Sequence, residues 1–470
     1  MKKSQSYLPR NLRIMLAVVL STVGVLTTQY VAAASWSAAK VLSNYSLFAL
    51  PTNTASIAVD GSGNAIAVWV NESNYVVQVA SRKLGVWGAA QVLYRPSSLN
   101  GETTSDAKVV FGSDGSATAI FASTIPGKIQ YCVVGGRVVR CLGPSTSYAK
   151  VARLAAGSLT WSKPVNVSAK GIAVANTQLG VDANGNAIAA WTYVESANAV
   201  TQLQTAKATA NGAWSAPAMR YSGSTLVRPL LAVNENGDAA IAWQERTAGA
   251  STYTIRMLAS SVSGTDTFLD VATLAAQAWN LRIGIAANND ISVAWDDGYA
   301  VRRTQCIAST GCAVAEPVES APGLVYGTDV YAYAPDMAVN ANGDMLVSWV
   351  EMNARTGEWK VIAQMRHGAD VYYSAEWPVD GQSSVPMADV AISRDAAAGF
   401  VGWIDYGSGM VTVAQVDAAQ GWLPLARIGS GAWGSQVEMG SGANAQGSAV
   451  WVATTATEFK YRVMASSLVF

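Results

Sequence analysis

The sequence predicts an all-β fold made of one four-stranded unit used eight times, and three observations predict it. A phrase recurs in which an apolar strand, a turn of Asn, Asp and Gly, and a second apolar strand end in an aromatic. It reads IAVDGSGNAIAVW to Trp69, LGVDANGNAIAAW to Trp191, LAVNENGDAAIAW to Trp243 and MAVNANGDMLVSW to Trp349. Weaker copies end at Phe121, Trp295, Trp403 and Trp451, so the closing aromatics lie 52, 70, 52, 52, 54, 54 and 48 residues apart. The two chain ends also fit a ring, since a strand opening at Trp36 matches the fourth strand that the last repeat, ending in YRVMASSLVF, lacks. Four antiparallel strands recurring at roughly 50 residues make the blade of a β-propeller. Seven blades is the alternative if the weak second repeat is a decoration.

The elements follow from the repeat in chain order. Residues 1–34 read as a secretory signal peptide: Lys2, Lys3, Arg10 and Arg13 precede an apolar run from Ile14, and Ala32 to Ala34 offer a small-residue cleavage site. Residues 35–470 then form a single propeller domain. In each blade, strand A precedes the turn and strand B ends at the aromatic, with period-two alternation in both and a turn Gly free to take positive φ. Strand C is a third run such as YVVQVASR from Tyr75 or WKVIAQM from Trp359. Strand D opens on Trp36, Trp87, Trp161, Trp214, Phe268, Trp377 or Trp422. An N-terminal strand that completes the last blade removes the open edge of the ring.

Composition narrows the partners. The chain carries 31 basic and 31 acidic residues, and without the four basic residues of the leader it is slightly acidic. No basic footprint for nucleic acid is present, and after signal cleavage no membrane partner is expected. The four cysteines fall in two close pairs, Cys132 with Cys141 and Cys306 with Cys312, which in an exported chain read as local disulfides rather than a metal site. Export to the periplasm or the outside, and a monomer, are the expectations.

The repeated D/N-x-x-G-N/D-A-x-A-x-W motif resembles bacterial secreted β-propeller repeat proteins over essentially the whole chain after the leader. It is distantly similar to the sialidase propellers, whose blades carry an S-x-D-x-G-x-x-W box. Asp60, Gly63 and Trp69 depart from that box in order and spacing, so no catalytic residue carries over.

Most repeated Trp residues are read as plugs between blades, because burying each removes about 150–250 Å² from water. Trp279, Trp359 and Trp433 fall outside the repeat's needs, and Trp279 and Trp433 are placed between a D and an A strand as ligand-contact candidates. Two residues past four successive B aromatics stand Glu245, Asp297, Glu351 and Asp405. They are candidates for an acidic crescent on the face of the B-to-C and D-to-A loops, or else for pairing with Arg228, Arg246 and Arg282. The same face carries an insertion at about 124–147 in blade two, read as a hairpin turned at Gly135 and Gly136. It also carries a long loop before blade six that presents Tyr326, Tyr331 and Tyr333. The DGSGN-type turns lack the register of a calcium loop, so neither calcium nor another cofactor or metal is indicated. With one histidine, His367, a His-dependent triad has no basis and no catalytic residue is assigned. The reading is a non-enzymatic propeller that binds a glycan or protein through one loop face. The alternatives are a carbohydrate-active hydrolase or lyase with a carboxylate pair at the channel mouth, and a structural envelope component.

Overall fold

The computed structural model describes residues 35–43, 55–318 and 330–469, except positions 72, 113, 198, 211, 224–225, 247–248, 250, 263, 369, 380–386, 395–397, 433–434, 444 and 455–460. Residues 1–34, read from the sequence as a signal peptide, together with Tyr326 and Trp433, lie outside the described residues. Residues 36–468 form one compact unit. It is an all-β propeller of eight antiparallel four-stranded blades, and its one described helical turn is the short 3-10 segment Ser98–Asn100.

Each blade follows the order A-B-C-D, as in blade 4 with Val227–Val233, Ala239–Arg246, Tyr253–Ser260 and Asp266–Leu274. Every A strand touches the A strands of both neighbouring blades, and the series closes from blade 8 back to blade 1, so the A strands form the inner ring. The chain's first described strands complete blade 8: Lys40 pairs with Ala465 and Val41 with Met464, and Ser37 N–H donates to the Ser467 carbonyl. The second repeat is a full blade, with A at Thr103–Phe111 and B at Ala117–Ile125, which decides for eight blades over seven.

The repeated turn is explained by its own side chains. Asp60 Oδ1 accepts the N–H groups of Ser62 and Asn64, and Asp182, Asn234 and Asn340 do the same two and four residues on. The acceptor oxygen replaces a backbone carbonyl in the turn, and Gly63, Gly185, Gly237 and Gly343 supply the positive φ. These side chains are spent on turn geometry.

The core is divided among the blade seams. Eight apolar clusters each join two successive blades, the last joining Leu42, Val450 and Val463 to Ile57, Ala67 and Trp69. Trp191, Trp243, Trp295, Trp349 and Trp451 are fully buried within the B strands, which run on past the aromatic that the sequence reading took as their end. The outer aromatics behave differently from the sequence expectation. Trp161 and Trp214 lie just before the short or late D strands, Trp377 sits near the end of its strand, and Phe268 is 53% exposed. An outermost strand has a neighbouring sheet on fewer sides, so most of these aromatics are only partly covered, although Trp87 is buried.

In blades two to six strand A carries a bulge, where Asp106, Asn176, Arg228, Asn280 and Ala334 take positive φ. Each bulge adds a residue and bends the inner strand. Asn and Asp tolerate this left-handed backbone, whereas Arg228 and Ala334 hold it only because neighbouring blades fix the strand on both sides.

Both disulfides are present. Cys306 and Cys312 sit opposite each other across the C and D strands of blade 5. Cys132 and Cys141 staple a hairpin, Ile129–Val134 with Arg137–Leu142, that forms a two-stranded sheet of its own between strands B and C of blade 2. Its turn is Gly135 and Gly136, both at positive φ.

Candidate binding face and central channel

The four carboxylates after the B aromatics are each held inside their own blade. Glu245 is buried and lies 3.2 Å from Arg256 Nε, which also contacts Asp270. Asp297 accepts from Arg302 Nε at 2.9 Å and from the N–H groups of Tyr299 and Ala300. Burial works against its ionisation, but the Ala300 N–H, Arg302 and the Tyr299 N–H together outweigh burial and hold its carboxyl below the usual range. Glu351 is buried and accepts the Trp349 indole N–H at 3.0 Å. Asp405 caps its own B-to-C turn through Gly407 and Ser408. The cationic partners are Arg256 and Arg302 rather than the Arg228, Arg246 and Arg282 that sequence position suggested. Among the described residues no group of three or more His, Cys, Asp or Glu side chains is placed to hold a metal ion.

Of the aromatic candidates, Tyr331 and Tyr333 converge. Tyr331 and Tyr333 belong to strand A of blade 6, Val330–Val339, and not to a loop. Residues two apart on a strand point the same way, and their rings stack with centroids 6.2 Å apart. Tyr299, from the B-to-C turn of blade 5, lies 6.3 Å from Tyr331, and Trp359, opening strand C of blade 6, lies 6.3 Å from Tyr333. Four rings thus form a continuous ridge across the seam of blades 5 and 6. Tyr299 is 66% exposed at one end. Trp279 is the first residue of strand A in blade 5, Trp279–Ile285, pairs with Asp296 and is 58% exposed. Asp296 beneath it is buried, and burial raises its pKa although Asn280 and the Ala334 N–H donate to it. Sequence reasoning singled out Trp359 but did not place it in the site, and it missed Tyr299, whose position depends on how tightly the Asp297 turn folds.

The channel holds a second polar group that the sequence reading missed. The strand A residue facing the one before the B aromatic occupies the same place in every blade. In blades 2, 5, 6, 7 and 8 it is Lys108, Arg282, Asp336, Asp389 and Glu438. Arg282 Nε pairs with Asp336, and Lys108 Nζ lies 4.0 Å from Glu438. Asp336 Oδ2 accepts the Val390 N–H and Asp389 Oδ2 accepts the Met439 N–H, each stitching one blade to the next, as Ser56 Oγ does with Val109. Burial, then the adjacent Asp336 and Glu438, push Asp389 well above the ordinary carboxyl range. Burial opposes the charge on Arg282, but the Asp336 carboxylate outweighs it and its pKa is raised. The signal was readable, since this position falls thirteen residues before the aromatic in all blades but the seventh, where it falls fourteen.

The two ends of the channel differ. At the A-to-B end a cavity of about 250 Å³ is lined by turn segments of all eight blades, and Arg394 of blade 7 donates to Glu235 of blade 4 across it. At the other end a pocket of about 20 Å³ lies between Asn280, Arg282, Ala334, Asp389 and Gln436. Ala334 follows Tyr333 directly, so the aromatic ridge leads to this pocket.

No protein-family model matches the chain, and no curated protein matches it. Among solved structures it is similar to an alpha-L-arabinanase of Penicillium chrysogenum complexed with arabinobiose, at 12% identity and a TM-score of 0.39, over 62% of this chain and 92% of that one. It is similar to a Hadza microbial sialidase at 12% identity and 0.38, over 70% and 71%. A protein of unknown function from Dyadobacter fermentans matches at 12% identity and 0.40, over 93% and 99%. Similarity at this level assigns no activity. The fold and the site define a closed eight-bladed propeller with an aromatic ridge on one face.

Proposed function

We propose that the protein is a non-enzymatic binding propeller that holds a glycan on the face of the B-to-C and D-to-A loops. The observation that carries this reading is the ridge of Tyr299, Tyr331, Tyr333 and Trp359; Trp279, exposed at the start of strand A in blade 5, adds a further ring at the D-to-A end. Stacked rings present apolar faces and hydroxyl tips together, which suits a ligand made of apolar ring faces edged with hydroxyls. The four blade-end carboxylates are already occupied and add no shared charge. Export, consistent with two disulfides, would bring such a face to extracytoplasmic glycans.

The test is a polysaccharide-binding screen with the protein and with the Tyr331→Ala/Tyr333→Ala variant. Anchor aromatics at a binding site each contribute roughly 1–2 kcal/mol or more, so the variant is expected to bind at least tenfold more weakly. Unchanged glycan binding in the variant, or no retention of any glycan by the protein, rejects the proposal. Retention of a protein ligand with the same dependence on these tyrosines would replace the glycan by a protein.

One observation favours a second reading. Asp389, hydrogen-bonded beside Asp336 and held above the ordinary carboxyl range, has the features of a general acid next to a carboxylate. A hydrolase or lyase built on that pair requires glycan cleavage that disappears in Asp389→Asn. Binding without turnover rejects it.

A further inference from the structure

The hairpin inserted in blade 2 is independent of the ridge and has a different chemistry. Its side chains alternate between two faces. One face carries Ile129, Tyr131, Val133, Val138 and Leu142, every one between 62% and 77% exposed, with Arg140 among them. The other carries Gln130, Val139, the disulfide and, at the turn, Arg137, and Cys132, Cys141 and Val139 are less open. A lone two-stranded hairpin is at best marginally stable in water, and this one buries little of its apolar surface. The Cys132–Cys141 staple holds it in shape without burial, which leaves a preformed apolar face bare to the surroundings.

Charge says what covers that face. From residue 115 to residue 181 the chain has no Asp or Glu, yet it carries Lys128, Arg137, Arg140, Lys150, Arg153, Lys163 and Lys170, in a protein with 31 residues of each sign. Lys128, Arg137 and Arg140 fringe the hairpin and are exposed, and Lys170, in the D-to-A loop on the same face, is exposed as well. A preformed apolar face with a Tyr, fringed by cations and free of anions, has the composition of an interfacial membrane element, whose long basic side chains reach up to headgroups while their stems lie on the apolar boundary.

We propose that this hairpin lies flat in the headgroup boundary of an anionic lipid bilayer and docks the propeller there, with the B-to-C face turned to the membrane. This reverses the sequence-based expectation of no membrane partner. That expectation rested on the lack of a spanning segment, whereas an interfacial element needs none.

The test is co-sedimentation of the purified full chain with phosphatidylcholine vesicles and with vesicles containing phosphatidylglycerol. It is run beside a Tyr131→Ser/Val133→Ser/Val138→Ser variant and a Lys128→Gln/Arg137→Gln/Arg140→Gln variant, so that any contribution of the leader is common to all three. The substituted residues are exposed or fringe an exposed hairpin, so the ring is expected to fold, and circular dichroism checks it. Each cation near an anionic surface contributes about 1 kcal/mol, so the charge variant is expected to bind anionic vesicles about 100-fold more weakly. The apolar variant is expected to lose at least tenfold. Equal sedimentation of all three proteins, or no preference for anionic vesicles, overturns the proposal. So does vesicle-independent self-association that the apolar variant abolishes, which would make a second copy the occupant. Because the tyrosine ridge is untouched in these variants, retained glycan binding separates failure here from failure of the glycan reading.

Discussion

Replacing Trp349 and Trp243 by Phe in two separate variants distinguishes a seam plug from a hydrogen-bonded plug. Both indoles are fully buried within a B strand, so each Phe variant leaves a similar void, which costs about 1–2 kcal/mol. They differ in one bond. The Trp349 N–H donates to buried Glu351 at 3.0 Å, whereas the Trp243 N–H, packed beside Tyr221 and Phe268, meets no hydrogen-bond acceptor. Trp349→Phe therefore strands a buried carboxylate and forfeits a bond to a charged group, an extra roughly 1.5–3 kcal/mol, while Trp243→Phe removes an N–H that was already unpaired. Urea denaturation followed by far-ultraviolet circular dichroism reads the difference directly. Trp349→Phe is expected to be the less stable of the two by about 1.5–3 kcal/mol. Equal losses, or a larger loss at Trp243, would refute the reasoning that Glu351 is a structural acceptor and not a free site carboxylate.

Further outcomes follow from other parts of the ring. Asp389 keeps its proton in the fold above the usual Asp range, facing Asp336, Glu438, Arg282 and, through Glu438, Lys108. As pH rises past 3.8 the unfolded chain releases that proton first, so stability falls until the folded group also ionises. Urea midpoints across pH are expected to show this decline in the protein and to lack it in Asp389→Asn; the same slope in both would remove Asp389 as its source. Replacing Cys306 and Cys312 by Ser is expected to lower ring stability by about 2 kcal/mol, since that bridge ties strands within blade 5. The same change at Cys132 and Cys141 should leave ring unfolding unaltered, because the hairpin is a separate two-stranded sheet; a loss at both sites would show the hairpin supports the ring. Removing residues 35–43 takes away Lys40 and Val41, the partners of Ala465 and Met464 in blade 8, and opens an edge. That truncation is expected to aggregate in size-exclusion chromatography, and a stable monomer would contradict closure by the N-terminal strand.

The sequence disclosed the ring more fully than it disclosed the site. The closing aromatic is a local pattern repeated eight times and the Asn, Asp and Gly turn recurs clearly in four repeats, so closure and a leading count of eight blades were legible from Trp36 to Phe470. The bulges at Asn176, Asn280 and Ala334 were not, because a register shift depends on how two neighbouring blades crowd one strand. The ridge was half legible. Tyr331 and Tyr333 were singled out but read as loop residues rather than strand neighbours, Tyr299 reaches them only because Asp297 folds its turn tightly, and Trp359 only because strand C opens beside strand B. Arg282, Asp336 and Asp389 stayed hidden although their spacing is regular, since a polar residue at an inner-strand position reads as noise until the strands are known to face a channel.

The most direct test of the central claim is hydrogen-deuterium exchange of the protein with and without a retained glycan. Protection is predicted at Asp297–Val301, at Val330–Ala334 and at the opening of strand C around Trp359, the segments that bear the ridge. Protection confined to the A-to-B turns around Glu235 and Arg394, or no change at the ridge with glycan bound, would contradict it.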